Sequence, residues 1–326
     1  MNESEAKKLI LARSAVTPQR VVIAKAIILN SCQQTSAADD LIIAVLKANN
    51  ITMPKQVVLH PSMDPTAALM TAGDALSWSS AAKEAIWSLI HGGYFIPMAD
   101  LYGPTPSIGW TTVIPGSGGH SSGWTFEEHT IMVPNRVRRA PSSIGSNNQF
   151  LADPDLYLHT IGISNMHSEV ESAFREAVKC FRLELFTAAL AMLGKASEGA
   201  WLELGASLLA YIPSNLKSSF SKQRTVLEDP MMGMYRKIEA VITMFDRQDI
   251  FNSLVISSGI RPRELRTVMV WSDAVRDSRN TIHFGVAPAT PNTYDKIAAL
   301  LIGAVHNVKI LYRLKEAADH ACSPRS

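Results

Sequence analysis

Near the C-terminal end of the chain, one short segment collects side chains able to handle a phosphodiester. It reads Trp271-Ser272-Asp273-Ala274-Val275-Arg276-Asp277-Ser278-Arg279-Asn280-Thr281-Ile282-His283-Phe284-Gly285. At about 100° per residue, Arg276 and His283 differ by only about 20° around a helix axis. Arg279 and Asn280 fall within about 60° of His283, one on each side. Two guanidinium groups, an amide and an imidazole therefore share one helical face, near an end marked by Gly285. Arginine holds phosphate oxygens through a planar fork of donors, and histidine exchanges protons near neutral pH. Together they are the minimum for metal-free RNA cleavage. The imidazole would activate the ribose 2′-hydroxyl or protonate the leaving 5′-oxygen, while arginine stabilises the charge building at phosphorus. The same spacing also describes the solvent-facing side of an amphipathic helix with His283 capping its end. Spacing alone leaves both readings open.

Other catalytic signatures are absent from the sequence. It contains no Walker A loop, no GxGxxG following a strand, no HExxH and no GxSxG elbow. His159 and His167 are isolated, and His120 and His129 fall in a Gly/Ser-rich region without metal-ligand spacing. The three cysteines, Cys32, Cys180 and Cys322, form no CxxC or Cys/His cluster, which argues against a disulfide framework and a structural zinc. Cys180 lies in an apolar helical setting and reads as an inert thiol. No metal and no cofactor is expected.

The charge balance bounds the partners. With 31 Lys plus Arg against 29 Asp plus Glu in 326 residues, bulk electrostatic coating of nucleic acid is excluded. The half from Ser164 onward holds 20 basic and 17 acidic residues, so an anionic partner would meet a local patch. The apolar stretch after the polar N-terminus, Leu9 to Ala12, is too short for a signal peptide. The longest uncharged apolar run, Ile297 to Val305, is nine residues, where a bilayer span needs roughly 20. A cytoplasmic protein without a membrane partner is expected.

The elements that must position these residues fall into two halves, as the length suggests. Residues 1–133 read as short helices followed by a small hairpin. Thr17 and Pro18 start one helix, Ser36 is a candidate cap for a second, and a third runs from Ser77 to Ile90 before Gly92-Gly93. Tyr94 to Pro97, Ile108 to Ile114 and Thr125 to Val133 read as strands. This order predicts a smaller α+β domain of winged-helix shape. Its third helix offers only Lys83 and Glu84 among Ala and Ser, so packing or dimerisation competes with DNA binding. Residues 134–163 read as a connector carrying Arg136, Arg138 and Arg139. These three could grip phosphate or simply mark a solvated strand end.

From Ser164 to about residue 320 the pattern is helical nearly throughout. Ser164 or Asn165 can cap a helix to Cys180, and Phe181 to Tyr211 follows as the most hydrophobic stretch, studded with small residues. A polar loop to Asp229 precedes Met231 to Ile250, Pro262 to Phe284 and Asn292 to Ala318. Five helices with short connections predict an antiparallel bundle, making the chain mainly α.

The 271–285 segment resembles the signature of HEPN domains, helical bundles marked by an Arg, four to six intervening residues and a His. Six residues separate Arg276 from His283, and Arg279-Asn280 supplies the Arg-polar pair, with three residues between Arg279 and His283. Upstream, Arg175 to Arg182 and Ala188 to Gly199 resemble the first two helices of bacterial HEPN-like proteins. The resemblance covers residues 164–320 and implies a bundle that dimerises, with two Arg/His motifs facing a shared cleft. Many such proteins are endoribonucleases in defence or toxin–antitoxin systems, while others bind RNA or nucleotides without cutting. It also implies a polar or acidic helper on the second helix, for which Glu198 is the candidate. Glu198 alternatively pairs with Lys195 or Arg182. The expectation is a metal-independent endoribonuclease built on Arg276, Arg279, Asn280, His283 and Glu198. The alternative is a noncatalytic dimeric regulator that binds nucleic acid, a nucleotide or a protein.

Overall fold

Helix-forming runs in the first half are broken by β-branched and Gly/Pro-rich segments, and the chain folds along those breaks. The computed structural model describes residues 1–60, 64–114, 118–140, 149–282 and 291–322. It divides into two units, Met1–Gln149 and Phe150–Ser326. Among the described residues the protein is mainly helical, with twelve α-helices and two three-stranded sheets.

Unit 1 opens with α1 (Glu3–Arg13), started by a reciprocal cap in which Asn2 and Glu5 each accept the other's backbone N–H at 2.9 Å. Next comes α2 (Pro18–Ser31), with Thr17 capping and Pro18 in the first turn as expected. The chain continues through β1 (Thr35–Ala37), α3 (Ala38–Ala48), β2 (Gln56–Leu59) and α4 (Thr66–His91). It ends with β3 (Phe95–Tyr102), β4 (Ser107–Ile114), β5 (Gly118–Thr125) and β6 (Val133–Arg139). The strands form two sheets, ordered β1-β6-β3 and β2-β4-β5. In the first, β6 runs antiparallel to both neighbours; in the second, β2 joins β4 in parallel and β4–β5 is an antiparallel hairpin.

The structure corrects several expectations here. Ser36 does not cap a helix: it lies in β1 and its hydroxyl accepts the Gln33 N–H, while α3 starts after Ala37 without a side-chain cap. The helix expected from Ser77 begins at Thr66, and Gly73 inside it is where α1 crosses. A Cβ there would stand 2.7 Å from the Ile10 carbonyl. Thr125 to Val133 is not a strand but a 3₁₀ turn, Glu127–His129, between β5 and β6. Arg136, Arg138 and Arg139 belong to β6, the central strand of its sheet, and not to a connector. The hydrophobic centre joins Ala6 and Ile10 of α1, Leu69 and Leu76 of α4, and Trp110, Trp124 and Phe126.

Unit 2 contains α5 (Pro154–Ile161), α6 (Ser168–Arg182), α7 (Phe186–Tyr211), α8 (Ser221–Glu228) and α9 (Met234–Met244). It is completed by α10 (Gln248–Ser258), α11 (Pro262–Arg279) and α12 (Tyr294–Cys322). Eight described helices thus stand where five were expected. The additional α5 starts at a Asp153 cap followed by Pro154. His167, and neither Ser164 nor Asn165, caps α6. The chain turns between α6 and α7 at Glu184, which adopts a φ of 58°. The expected polar loop carries a 3₁₀ turn, Ser214–Phe220, and α8. Met231 to Ile250 splits into α9 and the start of α10. Helix α7 is central, packing against α6, α12, α11 and α9. Among the described helices, α12 has the length and apolar composition of a membrane span, but half of that stretch is buried inside unit 2.

Candidate functional site

Two adjacent residues lock α11 in place. Ser272 accepts the Trp201 indole N–H of α7 at 2.9 Å and the Ser197 hydroxyl at 3.3 Å, all within the core. The neighbouring Trp271 donates its indole N–H to the Leu300 carbonyl of α12 at 3.1 Å. Leu265, Val268, Val275 and Ser278 complete the buried stripe. The rotation of α11 about its axis is therefore set, and with it the direction of the side chains between the stripes.

On the flank facing α7, Arg279 reaches across Gly194. A Cβ on that glycine would lie 3.3 Å from the Arg279 Cγ, so the missing side chain makes room for the arginine stem. The guanidinium then meets Glu198, Nη1 to Oε1 at 3.0 Å, with both side chains about one-third exposed. Lys195, one alternative partner for Glu198, pairs with Glu169 instead, at 3.4 Å. Arg276 lies one turn earlier, its Nη1 at 3.1 Å from Asp273 and its Nη2 donating to Asp277 at 3.2 Å. Its planar group covers the Tyr235 ring of α9, 5.3 Å from the centroid, a favourable cation–π arrangement. The α-helix expected to run from Pro262 to Phe284 ends at Arg279: Asn280 caps α11 with its backbone N–H on the Arg276 and Ser278 carbonyls and opens a 3₁₀ turn, Asn280–Ile282. His283 lies outside the described residues.

The structure thus brings Glu198, Arg276 and Arg279 to one patch between α7 and α11, with Asn280 at its end. Asp273, Tyr235 and Gly194 also belong to the patch, and sequence reasoning did not assign them roles. Asp273 and Asp277 were legible as acids at i−3 and i+1 of Arg276. Tyr235 and Gly194 carry no local signal because only the packing of α9 and α7 on α11 brings them in. Three carboxylates accompany two guanidiniums, so the described patch carries a net negative formal charge. The void beside it, lined by Gly194, Ser197, Glu198, Ile238, Ser272 and Asp273 among others, measures about 10 Å³. That is room for one water at most, so a nucleotide would have to lie on the outer face.

A second polar cluster, in unit 1, escaped the sequence altogether. The buried His129 ring meets the Ser80 hydroxyl through Nδ1 and the Ser14 hydroxyl through Nε2, each at 2.8 Å. Ser14 donates onward to the Leu11 carbonyl at 3.0 Å, so Nε2 carries the proton and Ser80 donates to Nδ1. Burial pushes the His129 pKa below its ordinary value, with Lys83 adding to the shift and Glu128 opposing it. The partners stand 49 and 115 residues away, which no spacing rule can connect. His129, expected in a loose region, is a structural histidine joining α1, α4 and the turn before β6.

Among the described residues no group of three His, Cys, Asp or Glu side chains has the arrangement of a metal site. Comparison with known proteins finds no family model that matches the chain, and no curated protein or solved structure similar to it.

Proposed function

We propose that unit 2 is a HEPN-like bundle and that the protein is a metal-independent endoribonuclease. The observation that supports this most is the ion pair between Glu198 and Arg279, 81 residues apart in sequence. It joins the candidate helper on the second helix of the resemblance to the candidate arginine motif. In this proposal Arg276 and Arg279 exchange their carboxylate partners for phosphate oxygens as RNA docks, and Asn280 orients the strand. His283 withdraws the proton from the 2′-hydroxyl, or returns one to the leaving oxygen. The 2′-oxygen bonds to phosphorus as the P–O5′ bond breaks, leaving a 2′,3′-cyclic phosphate and a free 5′-hydroxyl. Two copies facing each other would form the shared cleft that the resemblance implies. A cytoplasmic setting, in defence or toxin–antitoxin function, follows from the same resemblance.

The test is incubation of the purified chain with structured and single-stranded RNA in EDTA, beside His283→Ala and Arg276→Ala. Cleavage to cyclic-phosphate ends that falls at least about 100-fold in His283→Ala is expected. No cleavage by the unaltered protein, or equal cleavage by all three, would end the nuclease proposal.

One observation favours the alternative, a noncatalytic dimeric regulator. Both arginines are already compensated by Asp273, Asp277 and Glu198, as in a structural network. In that case RNA or a nucleotide would be bound without being cut, or a protein would take its place. Unit 1 enters as a winged-helix-like module in the same proposal. Supporting it are the order β1-β6-β3 and the placement of α3 and α4 between β1 and β3. Its helix α4 is poorly suited to reading DNA. Lys83 is 7% exposed and its charged form is disfavoured first by burial, and the remaining buried positions are chiefly Ala, Leu and Ser.

A further inference from the structure

The arginine run on β6 divides into two roles. Arg139 turns inward and caps the end of α2, donating through Nε to the Cys32 carbonyl at 3.0 Å and through Nη2 to the Leu29 carbonyl. Arg136 and Arg138 point the other way. They are exposed, and neither makes an ion pair or side-chain hydrogen bond with a described residue.

Strand register defines what surrounds them. Arg138 lies between Thr35 of β1 and Ile96 of β3, and Arg136 lies between Ala37 and Met98. Side chains alternate across a sheet, so these two rows share one face, opposite buried Val137 and Phe95. Ile96 and Met98 are 36% and 37% exposed, large for apolar side chains in a sheet. Neither row contains a carboxylate. The two guanidiniums stand two residues apart on one strand, roughly 6.8 Å, a separation on the scale of successive phosphates along a nucleic-acid strand. Adjacent apolar side chains offer surface for unstacked bases.

We infer that this sheet face is a docking site for single-stranded RNA, with Arg136 and Arg138 on neighbouring phosphates and Ile96 and Met98 against the bases. Exposed apolar side chains beside the arginines suit a single strand better than a duplex, whose bases turn inward and out of reach. The inference deepens the ribonuclease proposal by naming its substrate class, and it rests on that proposal for the choice of RNA. It also gives unit 1 a nucleic-acid contact that does not use α4.

The experiment is fluorescence anisotropy of the full chain with a labelled 20-nucleotide 2′-O-methyl RNA, which has no free 2′-hydroxyl to react. Binding is measured across salt concentrations for the unaltered protein, Arg136→Ala/Arg138→Ala and Arg136→Lys/Arg138→Lys. The alanine pair is expected to weaken binding about tenfold and to lower the slope of log K against log salt by about 1.4, two phosphates at about 0.7 each. The lysine pair is expected to keep the slope. Because both side chains are exposed and unbonded, the melting temperature should not move. Absence of binding, an unchanged slope in the alanine pair, or equal competition by poly-glutamate would overturn the inference. So would loss of binding only in Arg276→Ala/Arg279→Ala, a result that leaves the nuclease proposal standing. Conversely, slope loss in the alanine pair together with uncleaved natural RNA keeps the docking face and removes the nuclease.

Discussion

Arg279 and His129 show how differently two polar side chains can be used within one chain. Arg279 is half-open, held by Glu198 and by the space over Gly194, so it can exchange one anion for another at modest cost. His129 is sealed, with both ring nitrogens taken by serine hydroxyls. The fold holds His129 neutral, whereas the unfolded chain takes up a proton as the pH falls past about 6.5. Its depressed pKa therefore contributes stability that is present above about pH 6.5 and is lost as the pH falls below that value and through the folded pKa. Urea midpoints of unit 1 should drop between pH 7.5 and 5.5, and His129→Gln should flatten that drop. An equal decline in both proteins would place its origin elsewhere. The acid–base residues at the two sites differed in legibility. Arg276 and Arg279 stand three residues apart on one helix and could be singled out from the local sequence, while the serine pair around His129 arises from contacts distant in sequence.

At the scale of elements, close approach decides more than propensity. Helix α4 tolerates Gly73 because α1 passes directly over it, with the Ile10 carbonyl and the Arg13 Cβ at the positions a methyl group would touch. In an open helix, Gly→Ala adds about 1 kcal/mol of stability. Here the added Cβ would sit 2.7 Å from a backbone oxygen that cannot rotate away. Gly73→Ala is expected to cost about 2 kcal/mol, read as a lower urea midpoint at unchanged slope; a gain in stability would contradict the α1–α4 crossing. Helix starts with side-chain or proline signals, such as Thr17-Pro18, were readable. The start of α4 and strand β6 were not. Strand β6 runs Val-Pro-Asn-Arg-Val-Arg-Arg, too polar to announce itself, and is made a strand by pairing with β1 and β3.

For the whole molecule, two hydrophobic clusters among the described residues draw on separate stretches of chain. The cluster of Tyr157, Phe174, Trp201, Phe251, Val275 and Leu311 lies entirely from residue 150 onward, and that of Ile10, Leu76, Trp110 and Phe126 entirely before it. A unit with its own core can fold alone. Residues 150–326 expressed by themselves should give helical circular dichroism and a cooperative melt; a non-cooperative transition would show that unit 2 depends on unit 1. The sequence by itself determined that the chain is mainly helical and that its second half is helical nearly throughout. Each follows from local period or composition. Only the tertiary structure decided that Glu198 meets Arg279, that carboxylates already occupy both arginines, and that Arg136 and Arg138 share an exposed sheet face while Arg139 caps a helix. These depend on which distant segments pack together. A sequence pattern records the side of an element a residue occupies, but not the partner brought against that side.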